Sequence, residues 1–363
     1  MSDNSPSGHR PLVFRIAAMG DAVLLVPLLK ALRTRYGQPC DVISAGAWTT
    51  PVLNASPDVA DIRILTSRRQ PYWFNRSQRD LVDWLRARPP GPVYVCETDD
   101  KTHWLLARGG ISSEWMCSMR DMAPRGPEEH QIDHELRLAR LTPAALGGVP
   151  LADLPAANHT MTPLPESVAE CERWLRTRNL AEQPLVLIQP GNKRTMRRGP
   201  RRRRSNAKFW PEDRWVHVIR RIRSLMPEAA VLVCGSPHED GMIRTIVDAC
   251  GDPAVINLAH DLPIPRLMAL QARAHSMVSI DTGPAHLASA VGCPLVVLFP
   301  RASDHRYFTR PTTAPVEILT PPATREPEAP PHPLVHLGAE VVVEAWTRLA
   351  ARLPGPPIKT ANM

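Results

Sequence analysis

Short apolar runs recur along this chain, and between them lie longer stretches in which apolar residues return every three or four positions. The runs at residues 11–19, 41–45, 61–65 and 93–96 predict buried strands. Residues 22–36 carry leucines and valines at helical spacing and end at Gly37, a helix with a glycine stop. Residues 49–54 begin another helix, Gly20 and Asp21 make the turn before the first, and residues 128–141 predict a charged amphipathic helix on a domain surface. Strand–helix alternation of this kind is the opening half of a Rossmann-like domain. A second set follows, with strands at 184–189, 229–234, 255–258, 277–280 and 294–299. Helices are predicted at 166–178, 211–225, 238–250, 264–272 and 284–291, and a last one at 338–353. Residues 311–334 are proline-rich and read as irregular.

One stretch of the second set stands out. The strand ending at Ile280 is followed by Asp281, Thr282 and Gly283, then by Pro284 at a first helical position, where its missing N–H costs nothing. Gly292 closes that helix and a further buried strand begins. A strand–turn–helix unit of this kind aims backbone N–H groups and a helix dipole out of one sheet edge, which suits a phosphate, and Gly283 allows close approach. The competing reading is that Asp281 and Thr282 only cap the helix.

At 363 residues the chain exceeds one ordinary core, and the proline-rich passage 150–165 divides it into domains at 1–160 and 161–363. The fold class predicted is α/β, two Rossmann-like domains facing each other across a cleft at the carboxyl ends of both sheets. No GxGxxG follows either first strand, which disfavours a nicotinamide enzyme. The formal charge of +8 calls for an anionic partner. Seven scattered cysteines without a CxxC pair read as free buried thiols of a reducing compartment, and residues 1–11 lack the layout of a signal peptide. With no membrane-length apolar stretch, the expectation is a cytoplasmic protein. The 13 histidines show no HExxH or similar spacing, so no metal is expected.

Particular residues then carry a family resemblance. Val13-Phe14-Arg15-Ile16 followed by Met19-Gly20-Asp21, and the NASPDVAD string at 54–61, resemble the opening of glycosyltransferase family 9, which holds the ADP-heptose–lipopolysaccharide heptosyltransferases. The second half is closer still. It carries Pro190-Gly191, Lys208 with Trp210-Pro211, Gly235-Ser236-Pro237-His238-Glu239, Asn257-Leu258-Ala259, and Asp281-Thr282-Gly283-Pro284 with His286-Leu287. The resemblance covers roughly residues 11–300 and implies a GT-B fold. It also implies inverting transfer of a heptose or similar sugar from an ADP-sugar co-substrate, with no cofactor and no metal.

Under that resemblance Asp21 is the candidate general base, with Gly20 letting the acceptor come close and Arg15 beside it on the acceptor side; the plain alternative for Asp21 is an N-cap. Lys208 becomes a point charge against the departing diphosphate, against the alternative of a solvated lysine. Glu239 either favours the helix dipole or hydrogen-bonds the nucleotide ribose. Thr282 and Gly283 offer N–H groups to the diphosphate, Asp281 is assigned to sugar hydroxyls, and His286 either reaches the phosphates or packs in the core. The chain departs from the family pattern in three places. The loop between Gly191 and Lys208 is long and carries Lys193, Arg194, Arg197, Arg198 and Arg201, Arg202, Arg203, Arg204. Phe299-Pro300-Arg301-Ala302-Ser303 stands where the family typically shows Gly-Pro-Thr, and Ala17-Ala18 replaces small hydroxyl residues.

The arginine run at 197–204 opens a second class of function, nucleic-acid binding, although it lacks interleaved aromatics and a recognition helix. An anionic glycolipid or other glycan acceptor, or peripheral contact with the inner membrane, accounts for it as well, and no nucleic acid is expected. A sugar-nucleotide epimerase of similar fold, which needs no acceptor, is the third reading.

Overall fold

The apolar runs assemble into two separate parallel sheets. The structure is a computed structural model that describes residues 9–16, 18–67, 70–151, 154, 159–192, 206–310, 313–322 and 333–354. Its contacts divide the chain into units at Met1–His159 and Thr160–Met363.

The first unit holds β1 (Leu12–Phe14), β2 (Cys40–Ser44), β3 (Val59–Ile64), β4 (Val93–Val95) and β5 (Met116–Ser118) in the order β3-β2-β1-β4-β5. Leu12 pairs with Asp41 on one side and Val93 on the other, so β1 lies at the point where the strand order reverses. The carboxyl ends of β1 and β4 therefore come side by side, the usual ligand position of a doubly wound sheet. Helices α1 (Met19–Leu24), α2 (Val26–Tyr36), α3 (Thr49–Leu53), α4 (Arg76–Ala87), α5 (Asp100–Arg108) and α6 (Gln131–Arg140) connect the strands.

The first strand stops at Phe14, earlier than its apolar run, and Gly20 and Asp21 lie in the first turn of α1, not in a turn before it. Ala18 is the N-cap, so Asp21 is not. Its carboxylate sits at the third helical position and reaches back to accept the N–H of the Ala18 cap at 3.0 Å, as the third residue of a capping box does. The helix breaks at Leu25 because Pro27 has no N–H to offer the preceding turn. Gly37, at φ 68°, closes α2 and donates its N–H to the Arg33 carbonyl.

The second unit holds β6 (Leu185–Gln189), β7 (Ala230–Val233), β8 (Val255–Asn257), β9 (Ser276–Ile280), β10 (Leu295–Leu298) and β11 (Val316–Leu319), ordered β11-β10-β9-β6-β7-β8. The order again reverses between the first strand of the set and the fourth, here β6 and β9, with Gln189 paired to Ser279 at their carboxyl ends. β11 falls in the stretch expected to be irregular. Val316, Ile318 and Leu319 follow the prolines and add a parallel edge to β10, in register from Leu295 to Leu298. Helices α7 (Pro165–Thr177), α8 (Glu212–Leu225), α9 (Asp240–Cys250), α10 (Ile264–Arg273), α11 (Gly283–Ala290) and α12 (Ala339–Ala350) cover the sheet.

Three buried tryptophans fasten this unit. Trp210 and Trp215 meet edge to face at 4.7 Å, and the Trp210 indole donates to the Leu337 carbonyl at 2.9 Å. Trp346 on α12 donates to the Ser276 hydroxyl at the start of β9. The indole N–H groups of Trp210 and Trp346 thus find acceptors although buried, while that of Trp215 has none among the described residues. All seven cysteines are free and buried. Among the described residues no helix is long and apolar enough to cross a membrane.

Candidate active site

At the end of β9 the chain turns into α11 through Asp281 and Thr282. Thr282 is the N-cap, extended at φ −158°, and its side chain makes no capping hydrogen bond. The first turn of α11 is therefore left without a side-chain acceptor, and the dipole of an eight-residue helix adds to the attraction for an anion. Thr282 thus caps by position only, and neither its side chain nor that of Asp281 makes the capping hydrogen bond considered for them.

Asp281 turns to other partners. The Lys208 ammonium lies 2.5 Å from its Oδ2, and His286 Nε2 lies 3.6 Å from its Oδ1. Burial opposes the charge of this carboxylate, but His286 and Lys208 outweigh burial and hold its pKa below the usual value. His286, one turn into α11, is 7% exposed. It exchanges a hydrogen bond between Nδ1 and the Thr309 hydroxyl at 3.0 Å and packs on Phe308 at 4.7 Å. It is thus a packed core histidine whose remaining nitrogen faces Asp281. Phe299, where the family typically shows Gly-Pro-Thr, is buried edge-to-face on the same Phe308.

Lys208 reaches Asp281 from the far end of the basic loop. Residues 193–205, which include that arginine run, lie outside the described residues. Asn206 brackets the loop by donating to Asn192 Oδ1 at 3.2 Å, and its own Oδ1 accepts the Lys208 N–H. Buried Trp210, two residues on, anchors the segment.

Glu239 lies over the end of β7, in a short turn (Pro237–Glu239) before α9. Its Oε2 accepts both the N–H and the hydroxyl of Ser236 at 2.8 Å. The other oxygen, Oε1, is buried with no partner among the described residues, beside Gly191 at the end of β6. A Cβ on Gly191 would collide with it, which explains why a glycine stands there.

In the first unit Arg15 leaves the end of β1 and enters a nest of carboxylates. Its Nη2 lies 3.8 Å from Asp21 Oδ1 and 3.8 Å from Glu135 Oε1, and its Nη1 lies 3.7 Å from Glu97 Oε1. Glu97 follows β4 and also accepts the Ile16 N–H at 3.0 Å. Burial works against the guanidinium charge, but Glu135 and its neighbours prevail and raise the Arg15 pKa. Asp21 is the accessible member, its side chain 42% exposed, while Glu135 is 1% exposed.

The predicted amphipathic helix forms as α6, and what the sequence did not announce is the side on which Glu135 falls. It lies on the buried face of α6 with Ile132, Leu138 and Ala139. Arg35, at the end of α2, fixes that helix by donating to the carbonyls of Ala139 and Leu141. Burial is the largest influence on the Glu135 carboxyl and pushes it from an ordinary 4.5 up to about 6, against Arg15 and a hydrogen bond from Gln131.

Residues 115–329 match the family model of Glycosyltransferase family 9 (heptosyltransferase). The chain belongs to that family. It is similar to lipopolysaccharide heptosyltransferase 3 of Escherichia coli, with 30% identity over 313 residues that cover 80% of this chain and 82% of the relative. Two solved structures share its fold. The glycosyl transferase family 9 protein of Veillonella parvula superposes with a TM-score of 0.74 at 16% identity, covering 95% of this chain and 98% of that one. The E. coli ADP-heptose lps heptosyltransferase II gives 0.69 at 20% identity, covering 94% and 99%. This family 9 chain is thus a glycosyltransferase of the heptosyltransferase class of lipopolysaccharide biosynthesis, with the two parallel Rossmann-ordered sheets of the GT-B class.

The residues singled out in the family 9 sequence fall into groups. Lys208, Asp281, Thr282, Gly283 and His286 gather at the end of β9, Glu239 stands over β7, and Arg15, Gly20 and Asp21 gather after β1. Glu97, Glu135 and Thr309 were not legible as site residues. Among the described residues no three His, Cys, Asp or Glu side chains gather as metal ligands.

A stability prediction arises from Glu135. Its folded pKa is raised, so its contribution favours the fold below the unfolded pKa of 4.5 and is lost as pH rises through about 6. At pH 8 the ionised form costs about 2 kcal/mol relative to the neutral one. Glu135→Gln, which mimics the neutral form, is expected to raise the melting temperature at pH 8 and leave it nearly unchanged at pH 4. A lower melting temperature at pH 8 would show that the ion pair with Arg15 outweighs burial.

Proposed function

We propose that this heptosyltransferase moves a heptose, or a similar sugar, from an ADP-sugar to a hydroxyl of a lipopolysaccharide-core or other cell-envelope acceptor, with inversion and without a metal or cofactor. The observation that carries the reading is the Lys208–Asp281 pair at the open N-terminus of α11. A lone lysine would serve any anion and a lone aspartate would repel a diphosphate. Paired, they are close to neutral, so a diphosphate can settle on the Thr282 and Gly283 amides with the ammonium at its side. Glu239 Oε1 supplies a buried acceptor for a ribose hydroxyl, since a buried carboxylate oxygen without a donor is costly. The name of the E. coli ADP-heptose lps heptosyltransferase II supports an ADP-linked donor.

In the reaction proposed, the acceptor oxygen bonds to the anomeric carbon as the bond from that carbon to the diphosphate oxygen breaks, which inverts the centre. Asp21 takes the acceptor's proton, and ADP leaves with the bonding electrons beside Lys208. Asp281 accepts from sugar hydroxyls. The basic residues of the 193–204 loop serve an anionic acceptor or the inner-membrane surface, with the enzyme working from the cytoplasmic side.

Retention of ADP- and UDP-sugars by the purified protein, read by mass spectrometry, tests the donor; preferential retention of a UDP-sugar would sink it. Release of free ADP should require acceptor, and donor conversion without acceptor would point to an epimerase. A narrower check lies at Gly191. Gly191→Ala displaces Glu239 Oε1 and should weaken ADP binding by about tenfold, the worth of one hydrogen bond to a charged group. Calorimetric titration with ADP would read this, and unchanged affinity would remove Glu239 from the nucleotide site.

A further inference from the structure

We propose that Glu135 is a positioning residue for the transfer reaction, holding Arg15 and setting how much of its charge reaches Asp21. The inference rests on the reading of Asp21 as the base. It is carried by one nitrogen: Arg15 Nη2 stands 3.8 Å from the Asp21 carboxylate and 3.8 Å from that of Glu135. Asp21 opens to solvent, and Glu135 is sealed beneath on the buried face of α6. Glu135 Oε2 has no partner among the described residues, and neither has Arg15 Nε. A glutamate kept in so costly a place, where glutamine would fill the same volume, has a use for its charge.

That use follows from charge division. Arg15 serves the carboxylates of Asp21, Glu97 and Glu135 at once. With Glu135 ionised, the guanidinium is shared and Asp21 keeps its basicity. With Glu135 neutral, more of the charge acts on Asp21 and makes it a weaker base. The groups facing Glu135 are Arg15 after β1, Asp21 on α1, Cys96 after β4 and Gln131 on its own helix. The Cys96 thiol is pushed far up by burial, so it stays neutral. His134, next in the chain, also feels Arg15, and burial lowers its pKa. The acid side of the rate profile then belongs to Glu135, with its midpoint near 6.

The experiment is the pH dependence of kcat from pH 5 to 8.5 for the full chain and its variants, with melting temperatures recorded. Wild type should lose rate through pH 6. Glu135→Gln should lower kcat about three- to tenfold at pH 8, leave the donor KM unchanged and flatten the acid limb. Gln131→Met removes a hydrogen bond that favours ionised Glu135 and should move the limb to higher pH. It serves as the test if Glu135→Gln does not fold. His134→Gln should keep the limb. A wild-type profile in Glu135→Gln, an unmoved limb in Gln131→Met, or a limb lost in His134→Gln would each overturn the proposal. Asp21→Asn separates the layers. If it turns over like wild type, the base assignment itself fails; if it is impaired while Glu135→Gln is normal, only the role of Glu135 fails.

Discussion

Asp21→Asn is expected to lower kcat by about 10²–10⁴ while leaving ADP affinity intact, the usual worth of a positioned general base. The fold makes this a clean substitution. The asparagine Oδ1 can still accept the Ala18 N–H that the carboxylate accepts at 3.0 Å, so the first turn of α1 survives. What changes is the charge facing Arg15 and the capacity to take a proton. If the carboxylate served only to satisfy Ala18, both melting temperature and rate would stay at wild-type values, and Asp21 would leave the mechanism. Steady-state rates with saturating donor and acceptor, beside a thermal melt, decide between these.

Lys208→Ala should cost about 3–4 kcal/mol of transition-state stabilisation, the loss seen when one preorganised charge-stabilising group is removed. It also strands Asp281, whose side chain is only 11% exposed and whose charge Lys208 helps to sustain. Some loss of stability will accompany the loss of rate for that reason alone. A second variant separates the two. Lys208→Met combined with Asp281→Asn removes the orphaned charge, so it should recover most of the melting temperature and little of the rate. Recovery of turnover in the double variant would assign Lys208 to holding Asp281 in place, and the leaving-group role would pass to a cation of the neighbouring loop.

The division between what the chain announces and what it conceals is physical. Strands such as β9 and β10 are buried on both faces and read as unbroken apolar runs, so the second unit's alternation is visible in the letters. The Asp281-Thr282-Gly283-Pro284 turn is local, and its backbone demands select recognisable residues. Helix α5 was missed because much of it is polar, with Asp99 capping it through the Thr102 N–H. β11 was hidden by the prolines that flank it in sequence, Pro311 and Pro315 before it and Pro321 and Pro322 after it. Glu135 and Glu97 were invisible for a different reason: they meet Arg15 across 120 and 82 positions of sequence, and only the strand order brings them together. Helical spacing in α6 predicts that position 135 shares a face with Ile132 and Leu138. The charge of a glutamate argues the other way, and here the spacing was the better guide.

The buried thiols carry a practical consequence. Cys40, Cys96 and Cys117 belong to the first unit, and Cys171, Cys234, Cys250 and Cys293 to the second. Burial pushes the thiols of Cys117 and Cys234 up to about 12 and those of Cys171 and Cys250 to about 11. A thiol in that condition reacts only when its surroundings open, because the thiolate is the nucleophile and the folded state suppresses it. Alkylation rates, peptide by peptide, therefore time the opening of each unit without any introduced label. Cys96, between β4 and Glu97, keeps time for the floor beneath Asp21.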